Sequence, residues 1–257
     1  MDRSPSVADW RCAEDYAALD KAGRSGFAWE WLRRRPTYRE ACKAVGQAKG
    51  SEDAPRPFGL HRLEPCERGV PVARPIWRAE ADPLVLAATA CPCSPDRSDT
   101  FDIWSLGVSA TCCRSPDGRE RWLFSDGMRH IRLDLIAGSL TAGPVRFDYH
   151  MSGFAAAMPK IVSLSRLIAM ARTGRIPTAL FRRETRAGRW TLILRTADAL
   201  TAGASQREIT EHLLRVQTGS RWRIANPSSR RRAQRLVEAA KRAMDVDPRL
   251  WLTGDFP

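Results

Sequence analysis

The sequence predicts an α+β protein with a small N-terminal helical module, a central antiparallel β region and a C-terminal helical domain. Three observations support this prediction: helical spacing of apolar residues near the start, short alternating runs in the middle, and helical spacing again in the last hundred residues. A chain of 257 residues has room for two or three small domains with cores of their own. We place the three segments at residues 7–50, 56–152 and 153–257.

Residues 9–50 predict the N-terminal module. A helix over residues 26–35 is expected to stop at Pro36, because proline lacks the backbone N–H that a helix interior requires. Thr37, with Glu40 three residues later, indicates the start of a second helix. The module is rich in aromatic residues, which we expect to form a core and a docking surface rather than a platform for stacking bases. A polar stretch with two prolines, residues 49–57, predicts a linker.

The central segment predicts strands, because its apolar runs are short and partly alternating. The turn sequences Pro116-Asp117-Gly118 and Asp126-Gly127 fall between such runs and indicate hairpins, so we expect an antiparallel sheet. Residues 90–100 are rich in Pro, Cys, Ser and Asp and predict a loop. The strand-like runs are residues 76–77, 84–86, 101–104, 121–124, 130–135 and 145–149.

Helical spacing returns after residue 151. A first helix carries an apolar face from Ile161 to Ala171 and is closed by Gly174 and Pro177, and a basic connector follows over residues 180–188. A second helix is predicted over residues 189–202. Its end is indicated by Gly203, because glycine accepts the left-handed conformation that often follows a helix.

The next helix begins with a capping box. In Ser205-Gln206-Arg207-Glu208, the serine side chain reaches the third amide of the helix and the glutamate reaches back. Ile209, Leu213 and Val216 are predicted to supply its apolar face.

The last predicted helix is dense with arginine. Pro227, Ser228 and Ser229 stand where a helix N-terminus is expected, because serine oxygens accept the free N–H groups of the first turn. The apolar residues fall on one face: Ala233, Leu236, Val237, Ala240 and Met244. The polar ones point the other way: Arg231, Gln234, Arg235, Glu238 and Arg242.

A helix, a glycine break, a serine-capped helix and then a basic helix follow the order of a helix-turn-helix DNA reader. A three-helix bundle with a solvated arginine face would share the pattern, so the charge distribution decides. Residues 172–245 hold 17 Lys and Arg against 6 Asp and Glu, while the net charge of the whole chain is +13. The rest of the chain is therefore nearly neutral, and a charge confined to one region favours a polyanionic partner.

Other classes are disfavoured by what the sequence lacks. The N-terminus has no apolar signal region, residues 83–91 are too short an apolar run to cross a bilayer, and the polar helix faces lack opposing aromatic stripes. We therefore expect a cytoplasmic, nucleoid-associated protein that does not bind membranes. An odd number of cysteines, seven, predicts reduced thiols. The pairs Cys91/Cys93 and Cys112/Cys113 lack zinc-site spacing, so we expect no metal and no cofactor.

An enzyme and an interaction protein are the competing classes. The tyrosines Tyr16, Tyr38 and Tyr149 all precede the basic region, and no nuclease-like acidic cluster or phosphate loop is present, so we expect no catalysis. RNA binding is not supported by an aromatic strand motif. In the interaction alternative, the basic helices bind another regulator, and DNA affinity would then depend little on salt.

Three stretches resemble parts of one family. Residues 29–38, WEWLRRRPTY, resemble a motif of its N-terminal domain. Residues 138–145, together with residues 166–175, resemble its middle part, and residues 192–200 with 203–209 resemble its DNA-binding core. The family that these stretches resemble is that of the bacterial transcriptional activators that include RovC and FseA.

The resemblance implies a transcriptional activator whose C-terminal variant helix-turn-helix binds double-stranded promoter DNA and which forms homo-oligomers. It also implies control of genes of an integrative and conjugative element, such as excision or transfer genes, or of a secretion cluster. An antiactivator protein and RNA polymerase are expected partners. Short relatives with only the C-terminal domain act as antiactivators, so the N-terminal module of this chain favours the activator role.

These observations predict the DNA contacts. We expect Ser228, Arg231, Arg232 and Arg235 to enter the major groove, where arginine pairs with guanine. The segment over residues 217–227 is longer than an ordinary helix-turn-helix turn and is interpreted as a wing-like loop. Phosphate contacts are expected from Arg182, Ser205, Gln206, Arg221 and Arg223. Ser229 and Arg207 complete the predicted DNA-binding set, whereas Trp190 and Trp222 are expected in the core.

Overall fold

A computed structural model describes residues 8–45, 53–95, 99–217 and 227–256. Helices occupy both ends of the chain and a five-stranded sheet lies between them in sequence, so the predicted α+β class is confirmed. The α-helices are α1 Arg24–Leu32, α2 Pro36–Val45, α3 Phe154–Thr173, α4 Ala187–Thr201, α5 Gln206–Leu214, α6 Pro227–Asp245 and α7 Leu250–Thr253. Short 3-10 helices occupy Glu14–Lys21, Arg56–Phe58, Ile103–Ser105 and Thr178–Leu180.

The sheet has the strand order β2-β3-β4-β1-β5. Its strands are β1 Leu86–Pro92, β2 Ser109–Arg114, β3 Glu120–Ser125, β4 His130–Ala137 and β5 Val145–Tyr149. Three of the four neighbouring strand pairs are antiparallel. The fourth pair, β1 with β4, is parallel, with Leu86 opposite Leu133. The predicted antiparallel pairing is therefore right for three pairs and wrong for this one, because the meander β2-β3-β4 returns to the centre and brings β4 beside β1 in the same direction.

Two of the predicted strands have other structures. Trp77 pairs only through an isolated bridge to Leu60. Residues 101–104 lead into a 3-10 turn, because the carboxylate of Asp102 accepts the backbone N–H of Trp104 at 2.9 Å. The predicted loop over residues 90–100 begins only after β1, which continues to Pro92. Pro36, expected to stop α1, is the first residue of α2, since a proline needs no N–H partner at a helix start.

Helix α3 covers one side of the sheet. Leu167 and Met170 are fully buried and share a core with Leu133 and Leu135 of β4. The opposite face of α3 is apolar and exposed: Phe154 is 97% exposed and Met158 is 66% exposed. Among the described residues, α3 is the one helix that is long and apolar enough to cross a membrane. Core helices of soluble proteins have the same length and composition.

A second core joins the two ends of the chain. Trp251 of α7 lies 4.8 Å from the ring of Trp190 in α4 and stacks on Trp31 of α1 at 5.6 Å. Phe27 and Trp29 of α1 are fully buried in the same core. The expectations that the N-terminal aromatics form a core and that Trp190 lies in the core are confirmed. The division at residues 7–50, 56–152 and 153–257 stays a prediction.

The face of the sheet opposite α3 holds charged groups. Arg132 is buried, donates to the carbonyl oxygen of Trp77 at 2.9 Å and pairs with Asp134 at 2.7 Å. Burial, reinforced by the positive charge of Arg132, lowers the pKa of His130 to about 4. The His130 imidazole is therefore neutral at pH 7.

Candidate DNA-binding surface

The turn between α4 and α5 forms as the sequence predicts. Gly203 adopts a φ of 78° and its N–H donates to the Leu200 carbonyl at 3.0 Å. The N–H of Ala204 donates to the carbonyl of Ala199 at 2.9 Å, which completes a Schellman-type helix end. The chain can therefore reverse direction within a few residues.

The capping box at the start of α5 is present. The Ser205 hydroxyl accepts the backbone N–H of Glu208 at 3.3 Å, and the Glu208 carboxylate accepts the backbone N–H of Ser205 at 2.8 Å. Ile209 and Leu213 are buried as expected. Val216 lies beyond the end of α5 at Leu214, so its assignment to the helix face is wrong; Arg215 takes a left-handed conformation with a φ of 53° and ends the helix.

Helix α6 packs on both α4 and α5. Its innermost residues are small: Ala233, Ala240 and Ala243 are fully buried. Small side chains let the helix axes approach closely, and Leu236 and Met244 pack half-buried at the margins. We call this group of helices, residues 187–214 and 227–245, the α4–α6 unit.

The outer face of α6 carries unpaired cations. Arg231, Arg235 and Arg242 follow one stripe along the helix, because their spacing of four and then seven residues keeps them on one side. Arg34, Arg114 and Arg132 in earlier parts of the chain each pair with a carboxylate. No described carboxylate lies within ion-pair distance of the α6 cations. The exposed cations of α6 are Arg230, Arg231, Arg232, Arg235, Lys241 and Arg242.

This arrangement is electrostatically unfavourable in the free protein. The first turn of α6 contains no acidic residue, and arginines follow directly at the positive end of the helix dipole. Arg231 and Arg235 are also like charges four residues apart, a spacing that destabilises a helix by about 0.2–0.5 kcal/mol. A closely spaced polyanion removes both penalties, which is what a phosphate backbone provides.

Apart from Arg182, the other predicted DNA contacts lie at the start of α5, at the start of α6, or outside the described residues. Ser205, Gln206 and Arg207 begin α5, beside α6; the Ser205 hydroxyl serves the capping box and Arg207 pairs with Glu211 at 3.1 Å. Ser228 is exposed and Ser229 half-buried in the first turn of α6. Arg221, Trp222 and Arg223 lie outside the described residues.

Arg182 is exposed but belongs to another neighbourhood. The residues just before it contact α3: Arg166 donates to the carbonyl of Leu180 at 3.1 Å and its guanidinium lies 4.0 Å from the ring of Phe181. Glu184, just after it, pairs with Arg24 of α1 at 3.3 Å. The connector is therefore held by α3 and α1 rather than by α5 or α6.

Comparison with known proteins identifies both ends of the chain. Residues 9–60 match the proteobacterial transcriptional regulator-like domain, and residues 152–249 match the RovC DNA-binding domain of a transcription factor associated with type VI secretion. The chain has the two-domain architecture of the RovC-like transcription factors. It is a transcription factor with a DNA-binding domain, and domains of this type imply a cytoplasmic protein. No curated protein matches the sequence.

Within this RovC-like chain, the N-terminal segment lies directly on the DNA-binding domain. The Trp10 ring meets the imidazole of His212 edge-on at 5.4 Å, and Arg11 pairs with Glu208 at 3.5 Å. Arg195 of α4 donates to the carbonyl oxygen of Trp10 at 2.8 Å. The segment therefore covers part of α5, while the cationic face of α6 stays open.

A buried ionic network joins the RovC-like N-terminal helices to α4. The guanidinium of Arg34 makes two bonds to Asp198, at 2.7 and 2.9 Å, and also contacts Glu30. Tyr16 donates its hydroxyl to Asp198 at 2.6 Å. The guanidinium of Arg34 is therefore engaged by carboxylates within the protein.

The pKa values follow from this pairing. Burial alone would raise the pKa of Glu30, but the positive charges of Arg34 and Arg33 hold it below its ordinary value. Burial would likewise lower the pKa of Arg34, but Glu30 and Asp198 raise it. Burial and the Asp198 carboxylate raise the pKa of Tyr16. Glu30, Arg34 and Tyr16 therefore keep their ordinary protonation states at neutral pH.

Three exposed cations of α6 are not among the DNA contacts predicted from the sequence: Arg230, Lys241 and Arg242. The signal for Arg242 was present, because it lies seven residues after Arg235 on the polar face. Arg230 and Lys241 flank that face, and only the packing of α6 on α4 and α5 shows that both are exposed.

Proposed function

We propose that this RovC-like protein is a sequence-specific transcriptional activator whose α4–α6 unit acts as a variant helix-turn-helix. In this proposal α6 enters the major groove of double-stranded promoter DNA. The observation that carries the proposal is the stripe of unpaired arginines on α6, which begins at the N-terminal end of the helix. The major groove accommodates an α-helix, and arginine pairs bidentately with guanine there.

The cations divide by position along α6. Ser228, Arg231, Arg232 and Arg235 lie in the first turns and read base edges, as the N-terminal residues of a recognition helix do. Arg242 lies seven residues after Arg235, which is about 10 Å along the helix axis at 1.5 Å per residue. At that distance from the N-terminal end it contacts the phosphate backbone. Phosphate contacts are also assigned to Arg182, Ser205, Gln206, Arg207, Arg221 and Arg223, and Ser229 accompanies Ser228 at the start of the helix.

The activator role is supported by the N-terminal domain at residues 9–60, because short relatives with only the C-terminal domain act as antiactivators. We place its target genes in an integrative and conjugative element, where they serve excision or transfer, or in a secretion cluster. In this role the protein acts as a homo-oligomer, contacts RNA polymerase and is silenced by an antiactivator protein.

The experiment is a salt titration of binding to labelled duplexes, one from upstream of neighbouring genes and one random. Arg231→Ala is expected to weaken binding to the preferred duplex by about 1–3 kcal/mol and to reduce its preference over random DNA. Arg242→Ala is expected to weaken both duplexes equally and to lower the salt slope by about 0.9. Arg56→Ala removes an exposed arginine outside the unit and is the matched control.

Two results would contradict the proposal. Equal losses on both duplexes for Arg231→Ala and Arg242→Ala would reject the division between base and phosphate contacts. Weak binding to every duplex without a steep salt dependence would reject DNA reading and favour the alternative, in which the basic helices of this regulator bind another regulatory protein.

A further inference from the structure

Helix α3 carries an apolar stripe on the side that faces away from the sheet. Leu167 and Met170 pack on the sheet from the buried side of the helix. Even in the middle of the helix, Ile161, Val162 and Ile168 are 49%, 45% and 46% exposed. Single exposed apolar residues are common, but a contiguous patch marks an interaction surface. The exposed apolar side chains of α3 are those of Phe154, Met158, Ile161, Val162 and Ile168.

The spacing of the stripe is that of a coiled-coil seam. Steps of four and three residues alternate along it, and such steps keep side chains on one side of a helix, where a second helix can pack against them. The positions beside the seam include Ala155, Ala157 and Ala169, whose small side chains let another helix approach closely. The exposed residues of the seam are Phe154, Met158, Ile161, Ser165, Ile168 and Arg172.

The polar residues of the stripe do not prevent its burial. The hydroxyl of Ser165 donates to the carbonyl oxygen of Ile161 at 2.9 Å, within the helix. Covering this hydroxyl therefore leaves no donor without an acceptor. The one charged residue on the seam is Arg172, at the C-terminal end. Only that end of the stripe requires a partner other than an apolar side chain.

The centre of the stripe is complementary to itself when two copies run antiparallel. With a two-fold axis beside residue 163, positions at equal distances on either side of that residue face each other. Ile161 then faces Ser165 of the second copy, so a large side chain meets a small one. Next to this pair, Met158 faces Ile168, so two apolar side chains meet.

The ends of the stripe select the antiparallel orientation. Parallel copies would bring the two Arg172 side chains together, and like charges that face each other repel. Antiparallel copies separate them by about 27 Å along the axis, which is 18 residues at about 1.5 Å per residue. Each Arg172 then faces the ring of Phe154, and a guanidinium is attracted to an aromatic face. A second copy of this chain therefore fits the whole stripe.

The area of the stripe is sufficient for a dimer. The exposed parts of its five apolar side chains amount to roughly 600 Å², at about 150–250 Å² for a fully exposed side chain of this size. Two copies therefore cover about 1,200 Å² of apolar surface, which reaches the range of about 1,200–2,000 Å² found in specific interfaces.

We propose that α3 is the interface through which two copies of this chain associate, with their α3 helices antiparallel around a two-fold axis. The same patch serves both copies, as in a closed dimer. The proposal deepens one part of the proposed function, the homo-oligomer, and rests on it in that respect. It involves neither α6 nor DNA.

The test is sedimentation equilibrium of the full chain without DNA, at about 1–100 μM. We expect the wild type to have the mass of at least two chains. Ile161→Glu places a carboxylate at the centre of the interface in both copies, so the dissociation constant should rise about 100-fold or more and the measured mass should fall by at least half. Val72→Glu is the matched control, because it makes the same change at an apolar residue that is 63% exposed outside α3, and it should leave the mass unchanged.

A second variant guards against loss of folding. Circular dichroism checks that Ile161→Glu keeps its helices, as expected for a substitution at an exposed position. Met158→Ser adds no charge and is expected to raise the dissociation constant about tenfold or more, because both copies lose a large apolar side chain.

Opposite charges at Phe154 test the register. In the antiparallel dimer Phe154→Glu faces Arg172 of the second copy, whereas Phe154→Lys places two cations together. We expect Phe154→Glu to associate about tenfold or more tightly than Phe154→Lys at low salt. In parallel copies each substituted residue would face its own equivalent, so both variants would be weakened equally.

The proposal is overturned if the wild type stays monomeric at about 100 μM, if Ile161→Glu keeps the mass of the wild type, or if Val72→Glu dissociates as Ile161→Glu is expected to. Equal dissociation constants for Phe154→Glu and Phe154→Lys overturn the antiparallel register. A monomeric wild type that pellets with phosphatidylglycerol vesicles, with an Ile161→Glu variant that does not, overturns the proposal in favour of a lipid surface.

The failure of this inference is distinguishable from the failure of DNA reading. A monomeric chain that binds a preferred duplex with a steep salt dependence refutes only the α3 interface. A dimer that has no affinity for any duplex refutes only the DNA-reading role of α6.

Discussion

Replacing Arg34 by methionine tests whether the two ends of the chain are joined by the buried ionic network. Arg34 bonds Asp198 twice, at 2.7 and 2.9 Å, and contacts Glu30 as well. Methionine keeps an unbranched apolar stem but supplies no donor. The substitution therefore leaves the buried carboxylate of Glu30 and the half-buried carboxylate of Asp198 without their shared cation.

The size of the effect follows from what each carboxylate retains. Removing one partner of a buried ion pair costs about 3–5 kcal/mol. Glu30 keeps Arg33 at 2.7 Å and the backbone N–H of Val70 at 2.9 Å, and Asp198 keeps the Tyr16 hydroxyl at 2.6 Å. We therefore expect the lower end, about 3 kcal/mol, or a fall of about 6–12 °C in Tm for a chain of this size.

The assay is urea and thermal unfolding of the full chain, followed by tryptophan fluorescence and circular dichroism. Arg39→Met is the matched control, because Arg39 has no described carboxylate partner and its loss should change stability by no more than about 0.5 kcal/mol. A loss below about 1 kcal/mol for Arg34→Met, or equal losses for the two variants, would refute the reasoning.

Three further predictions concern stability. Gly138→Ala places a Cβ 2.0 Å from the carbonyl oxygen of Ala90 at a φ of 84°, so unfolding assays should show a loss of about 3 kcal/mol or more. Gly118→Ala, at a φ of 79° with open space around the new Cβ, should cost only about 1–2 kcal/mol, and similar losses would contradict the clash. Because the folded pKa of His130 is lowered to about 4 from an ordinary 6.5, unfolding takes up a proton between these values, and stability should fall by up to about 1.4 kcal/mol per unit as pH drops from 6.5 to 4. His130→Gln should weaken this dependence of stability on pH, measured by urea unfolding at each pH. An unchanged dependence would show that the His130 imidazole does not cause it. Trp251→Ala, which empties the centre of the shared core, should cost about 3–5 kcal/mol in thermal melts, and a loss below about 1 kcal/mol would show that the tail does not belong to the core.

The C-terminal helices were predictable because their signals are local. The Ser205–Glu208 capping box, the left-handed Gly203 and the spacing of apolar residues in α6 each act within a few positions of the helix they define. The exposed face of α6 followed from the same spacing. These residues also carry the candidate DNA-binding surface, so most of that surface was visible in the sequence.

Features that depend on distant partners were missed. The parallel pairing of β1 with β4 requires a connection around the far edge of the sheet, for which turn sequences give no signal. The partner of Arg34, Asp198, lies 164 positions away, so no spacing in the sequence indicates this ion pair. Strand β2 is largely exposed at an edge and shows no apolar alternation. Neither the contacts of Leu180 and Phe181 with α3 nor the segment covering α5 had a local signal.

The shared aromatic core can be completed only when the last residues of the chain have been synthesised. Arg24 at the start of α1 donates to the carbonyl oxygen of Thr253, which is 229 positions later in the chain. At about 5–20 residues per second, α1 leaves the ribosome roughly 10–50 s before its partner exists. During that time Trp31 lacks the Trp251 ring on which it stacks in the folded protein. A chain cut short before Trp251 would leave the Trp31 ring without its stacking partner, and exposed aromatic surface of this kind is recognised by proteases and chaperones.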